Sequence, residues 1–156
     1  MSQSTGGEEE EGFLTEDEQA IQRAPGDADH IAGIEQLPRL VNEDSWLVHR
    51  GRFLRTDLLL EVDALSYHLS IDAGRITTLV RGPLLMRPWR FAVRGHAQGW
   101  QKFWQPVPPP GYHDLFALTK GAGFRIEGDL HPLVANLLYF KDVLAAPRRL
   151  AQVGRP

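Results

Sequence analysis

The chain has 156 residues, 42% apolar content, no cysteine and a formal net charge of −3. That length and apolar share suit one domain with its own core, and the missing thiols exclude disulfides, thiol catalysis and thiolate metal sites. The acidity gathers at Glu8 to Glu11 and Glu16 to Glu18, which leaves a near-neutral body and no footing for a nucleic-acid partner.

Met1 to Gly12 is rich in Ser, Gly and Glu and buries too little surface to offset the entropy of ordering. Phe13 to Arg23 suits a short helix, with Thr15 as N-cap and Glu18 completing a capping box before Ala24-Pro-Gly-Asp breaks it. Residues 1–26 are therefore expected to be a disordered acidic tail with at most one short helix. No apolar signal segment opens the chain, and no stretch reaches the roughly 18 apolar residues of a membrane span. The expectation is a cytoplasmic protein without stable membrane insertion.

Asp27 or Asp29 caps a helix carrying Ile31, Ile34 and Leu37, which Pro38 ends or kinks before Leu40 and Val41 continue its apolar face. From Ser45 the period changes to two: Leu47, His49 and Phe53 alternate with Val48, Arg50 and Arg52, which predicts a strand with Gly51 at a bulge. Leu58 to Val62 is an apolar run that periodicity cannot assign. Leu65, Tyr67, Leu69 and Ile71 then share one face of a strand, Asp72-Ala-Gly74 turns the chain, and Arg75 to Arg81 returns antiparallel.

Trp89, Phe91 and Val93 oppose Arg90, Ala92 and Arg94 before Gly95, a strand with one greasy and one wet face. Ala97 to Trp104 places Trp100, Phe103 and Trp104 on one side of a short helix. Pro106 to Gly111 is read as a stiff connector rather than a Pro-rich interaction motif. His113 to Lys120 is a second short helix. Phe124 to Glu127 is a strand ending at Gly128-Asp129, and that Asp caps a helix over Leu130 to Leu144.

In that last helix Leu130, Leu133, Val134, Leu137, Leu138, Phe140, Val143 and Leu144 cover more than the roughly 100° stripe of a surface helix. Either a sheet and a neighbouring helix fill both sides, or one side lines a lipid-sized cavity. Residues 147–156 form a basic tail, expected to be frayed.

This order of elements resembles the sterol carrier protein type 2 domain. The residues that carry the resemblance are Phe91 to Gly95 leading into Trp100 to Trp104, the helix from Asp114 to Lys120, and Gly123-Phe-Arg-Ile-Glu-Gly-Asp129 backed by Leu133, Leu137 and Leu138. The resemblance covers residues 27–146 and implies an α/β (α+β) fold: a mostly antiparallel five-stranded sheet with helices on one face, enclosing an apolar cavity for lipids or acyl groups. Two departures, the Pro106 to Gly111 insertion and the bulk of Trp100 and Trp104, imply a narrower cavity than a sterol requires.

The leading functional reading is a carrier that binds an apolar small molecule, lipid or acyl chain, with Phe91, Phe103, Trp104, Phe116, Phe124, Leu133, Leu137 and Phe140 as its lining. Arg90, Arg94 and Arg125 form a candidate clamp for an anionic head group, if the polar sheet face is covered. The alternative is a cofactor-independent hydrolase, cyclase or isomerase in the same cavity, with His96, His68, Asp114 and Glu127 as acid/base candidates. The histidines also suit plain solvated surface groups, and none has metal-ligand spacing, so neither metal nor cofactor is expected. A protein interaction module is the third reading; oligomeric state is not legible.

Overall fold

The computed structural model describes residues 32–83 and 86–153; the readings made above for residues 1–31 lie outside these. The run Leu58 to Val62 belongs to β1, Arg55–Val62. It carries apolar residues on both faces because it lies at the centre of the five-stranded sheet, where Leu58, Leu59, Leu60 and Val62 are all buried. Around it stand β2 (Leu65–Asp72), β3 (Arg75–Arg81), β4 (Phe91–Gly95) and β5 (Arg125–Gly128), in the order β3-β2-β1-β4-β5. The β1–β2, β2–β3 and β4–β5 pairs are antiparallel, and β1–β4 is parallel. The sheet is thus mostly antiparallel, in an α+β chain, as expected.

The parallel pair forces the chain between Arg81 and Phe91 to travel back along the sheet. It lays Pro88 against the outer face, where the Pro88 carbonyl lies 2.9 Å from His68 Nε2. Leu59, His68 and Ala92 are buried on this outer face, pointing away from the helices.

The inner face presents Leu58, Leu60, Val62, Tyr67, Leu69, Ile71, Phe91 and Val93, all no more than 2% exposed. Among the described residues the helices pack on this face: α1 (Leu37–Asn42), α2 (Ser45–Arg50), α3 (Ala97–Phe103), α4 (Leu115–Gly121), α5 (His131–Ala135), α6 (Leu137–Ala145) and α7 (Arg148–Val153). At the sheet edge, Asn42 mimics a strand: its side-chain amide donates to the Ile76 carbonyl and accepts from the Ile76 N–H, both at 2.9 Å. This pairs groups that an edge strand otherwise leaves open.

Four expectations are corrected. Ser45–Arg50 is a helix, not a strand, because the Asp44 carboxylate accepts from Leu47 N at 3.1 Å and so caps a first turn. Only Leu47 of the expected apolar face is buried, while Phe53 is 88% exposed. The long helix after Asp129 is two helices, broken at Asn136 (φ −125°, ψ 37°), so its apolar surface is buried on one side only. The strand expected from Trp89 begins at Phe91, leaving Trp89 and Arg90 in the preceding connection. Arg148–Val153 is helical rather than frayed, held by Arg148, which donates to the carbonyls of Phe103 (2.6 Å) and His113 (2.9 Å).

A buried polar tie is made by Tyr139 of α6, whose hydroxyl donates to the Gly74 carbonyl at 2.7 Å inside the core. Gly74 (φ +80°) makes the β2–β3 turn, and Gly51 ends α2 against the same ring. A Cβ on Gly51 would lie 2.5 Å from the Tyr139 ring. Gly51→Ala is therefore expected to destabilise by about 1–3 kcal/mol through overpacking, and Tyr139→Phe by about 1 kcal/mol through the lost hydrogen bond.

Burial also holds the Tyr139 phenol protonated well above its ordinary value. An unfolded tyrosine ionises near pH 10, so this contribution to stability is complete below about pH 10 and declines as the pH rises beyond it. Urea unfolding of wild type and Tyr139→Phe at neutral and alkaline pH checks both effects: the variant loses stability at neutral pH and shows a shallower alkaline decline.

Candidate functional site

Of the eight apolar candidates, Phe91, Phe103, Trp104, Phe124, Leu133 and Phe140 are buried at 7% exposure or less. Phe91 meets Phe140 edge-on at 5.1 Å between ring centroids, and Trp100 meets Phe124 at 4.9 Å, Trp104 at 5.1 Å and Phe103 at 6.0 Å. Trp100, which sequence reasoning treated as an obstacle, is the hub of this cluster. Its indole N–H donates to the Glu61 carbonyl at 3.1 Å, and that of Trp104 to the Leu144 carbonyl at 2.8 Å, so both rings are fixed at their polar ends. Glycine at 95 and 99 makes room for the Phe124 ring; a Cβ at either position would collide with it.

Phe116 and Leu137 stand apart from the buried six. Phe116 is 38% exposed on α4, and Leu137 is half-buried at the start of α6. Near them the broken helix leaves Leu130 (40% exposed), Val134 (61%) and Leu138 (66%) on the surface at four-residue spacing. The Lys141 ammonium lies 5.7 Å from the Phe116 ring centroid and 3.7 Å from the Asp114 carboxylate, linking α6 to α4. The exposed row was visible in the sequence as an i, i+4, i+8 spacing; its exposure was not.

The three candidate clamp arginines are engaged by carboxylates. Arg90 pairs with Asp129 at 2.7 Å, and Arg125 with Glu127 at 3.5 Å. Arg94 bridges Glu61 and Glu127, contacting the latter at 3.0 Å. By strand register Arg94, Arg125, Glu61 and Glu127 lie on the outer face, away from the aromatic cluster. Arg90 serves the Gly128-Asp129 corner: the Asp129 carboxylate accepts from His131 N at 3.0 Å, and these two contacts hold its carboxyl below the usual range. Gly128 adopts φ +99° here, with the Arg90 carbonyl where a Cβ would stand.

The structure does not bring the acid/base candidates together either. His68 is buried on the outer face with its Nδ1 unpartnered, Nε2 at the Pro88 carbonyl and Asp57 Oδ1 at 4.0 Å. The His96 side chain is 74% exposed ahead of α3, 3.6 Å from Asp63. Glu127 is held by Arg94 and Arg125. Among the described residues no cluster of three or more His, Asp and Glu has a metal-binding arrangement. A shallow surface pocket lies elsewhere, between α2, α6 and α7, lined by Leu47, Ala145 and Ala146 with Asp44, Asp142 and Arg149.

Asp114 caps α4, accepting from Phe116 N (2.8 Å) and Ala117 N (3.1 Å). The Ala117 and Phe116 amides, with Lys141 nearby, hold its carboxyl below the ordinary range. Its contribution to stability is thus present above about pH 4 and is lost as the pH falls through the lowered value. Asp114→Ala should cost about 1 kcal/mol and Asp114→Asn much less, because Asn retains the cap. Denaturation between neutral and acid pH should show a flatter acid limb in both variants.

No family model and no curated protein matches the sequence. Among solved structures, the fold matches the crystal structure of sterol carrier protein 2 with a TM-score of 0.60 at 12% identity, covering 75% of this chain and 94% of that one. It matches the solution structure of a conserved hypothetical protein from Thermus thermophilus with a TM-score of 0.54 at 14% identity, covering 77% of this chain and 87% of that one. Among the described residues no helix is long and apolar enough to cross a membrane. The chain has the sterol carrier protein 2-like fold.

Proposed function

We propose that the protein is a carrier that binds one slender apolar chain, a lipid or fatty acyl group, between α4 and the α5–α6 pair. The observation that carries this reading is the exposure of Leu130, Val134 and Leu138 on the two sides of the break at Asn136, with half-exposed Phe116 tied to α6 through Lys141. A helix that served packing alone would turn these leucines and this valine inward. The likeness to sterol carrier protein 2 supports the same reading at the level of fold.

Phe116 and Leu137 form the mouth in this proposal, and Phe91, Phe103, Trp104, Phe124, Leu133 and Phe140 the inner wall. The inner rings already touch one another, so a ligand gains room by shifting them, which favours a single chain over a fused ring system. About ten buried methylenes at ~0.8 kcal/mol each supply roughly 8 kcal/mol, the scale of micromolar binding before ordering costs. Lys141 offers a cation at the mouth, already shared with Asp114.

Titration with a fluorescent fatty acid, and its displacement by unlabelled fatty acids of graded length, tests the proposal. Saturable binding that strengthens with chain length is expected. Leu137→Trp, which fills the mouth from a half-buried position, should weaken binding at least about tenfold with an unchanged melting temperature. Absence of acyl binding by the parent protein, with Leu137→Trp unfolding it, would assign these residues to core packing alone.

A further inference from the structure

Charge is unevenly divided along the chain. Residues 1–31 hold nine carboxylates and one arginine, whereas residues 32–156 hold eleven carboxylates against sixteen lysines and arginines. From residue 32 onward the chain is therefore net cationic. Near α2 the carboxylates are taken up one by one: Asp44 by Arg149 at 3.3 Å, Asp72 by Arg55 at 2.9 Å, and Asp142 by Arg50. Among the described residues Arg39, Arg52 and Arg75 have no carboxylate partner. Arg39 donates to the Gln36 side chain at 2.8 Å, Arg52 to the His49 carbonyl at 2.8 Å, and Arg75 to the Asn42 carbonyl at 3.3 Å.

These three arginines share one end of the molecule. Arg39 is on α1, which packs on β3, and Arg75 opens β3. The β2–β3 turn abuts α2, where a Cβ on Gly74 would collide with the Val48 carbonyl. Trp46 on α2 is 80% exposed and Phe53, just after it, is 88% exposed, with the Arg52 guanidinium 4.6 Å from the Phe53 ring centroid. Uncompensated cations and bare rings thus meet on one face. Against them stand Glu35 and Glu43, before and after α1.

We infer that the acidic segment Glu8 to Glu18 of the same chain docks on this face, its carboxylates meeting Arg39, Arg52 and Arg75 while Phe13 and Leu14 lie against Trp46 and Phe53. Seven of its eleven residues are carboxylates, and Phe13-Leu14 stands between the two acidic runs. The segment therefore matches the face in charge and in apolar surface. Glu18 is fourteen residues before Ala32, where the described chain begins beside α1. That many extended residues span roughly 46–50 Å, ample to reach α2, which packs against α1. Tethering gives a local concentration on the order of millimolar, which favours this segment over a separate partner. A second copy meeting the bare face would set arginines against their own kind. The inference goes beyond the carrier reading, since it gives a cover, releasable by salt, to a face outside the proposed mouth.

The chain has no cysteine, so Thr15→Cys in the full chain carries a single nitroxide label whose approach is read from the indole N–H signal of Trp46, assigned with Trp46→Phe. Loss of that signal is expected at low salt, with recovery as salt is raised. Arg52→Glu should also restore it at an unchanged melting temperature, because Arg52 is exposed. Phe13→Ala combined with Leu14→Ala should restore it in part. An undiminished Trp46 signal in the labelled parent overturns the inference, as does a loss that neither salt nor Arg52→Glu relieves. So does an equal loss in isotope-labelled chains that lack the nitroxide when they are mixed with nitroxide-bearing chains, which would assign the contact to a second copy. Fatty-acid binding plays no part in these readouts, so they stand apart from the test of the carrier reading.

Discussion

The buried hydrogen bond from Tyr139 to the Gly74 carbonyl fixes the relation between the three parts of this fold. Gly74 belongs to the β2–β3 turn, Gly51 closes α2, and the Tyr139 ring occupies the space that a side chain at residue 51 would need. One phenol therefore sets the height of α6 above the sheet. Phe140 follows on the same helix and meets Phe91 at 5.1 Å, so the tie at the hairpin also decides how closely the aromatic cluster is pressed on β4. Deprotonating the phenol would put an unpaired charge in an apolar site, which is why its ordinary ionisation is suppressed.

Beyond that tie, the molecule keeps its two sheet faces chemically separate. The inner face is a continuous apolar surface under the helices. The outer face carries the Glu61–Arg94–Glu127–Arg125 chain of alternating charges, and the crossover beside Pro88 shields only its middle. An arginine that bridges two carboxylates has little capacity left for a ligand anion, and taking it from them would strand both. On the helix side, Lys141 and Asp114 meet beside Phe116, joining α6 to α4.

Legibility from sequence followed how many constraints each segment carried on its own. The β2–β3 hairpin was plain because alternation and an Asp-Ala-Gly turn agree locally, and the core aromatics of α3 were plain from their spacing. β1 gave no period because both of its faces are buried, a property of its place in the sheet rather than of its residues. α2 misled because six residues hold too few apolar positions to separate a period of two from 3.6, and the deciding group is the Asp44 cap. The arginine clamp was misplaced for a related reason: Arg94 finds Glu61 and Glu127 only through strand register, 33 residues away in either direction. The break at Asn136 had no signal comparable to proline or glycine, although its amide now donates to the Pro132 carbonyl.

That break separates two demands which one straight helix would have to meet together. α6 holds the core through Tyr139, Phe140, Val143 and Leu144, with the opposite side facing solvent and the ion pairs of α2. α5 contributes Leu133 to the same core yet is joined to α6 through a non-helical residue, and its N-cap is Leu130 rather than the expected Asp129, so its first turn leans on the Asp129 carboxylate, which accepts from His131 N–H and pairs with Arg90. Exposed cap and ion-pair contacts are worth far less than a buried aromatic cluster. The segment carrying Leu130 and Val134 therefore opens at lower cost than the helix behind it.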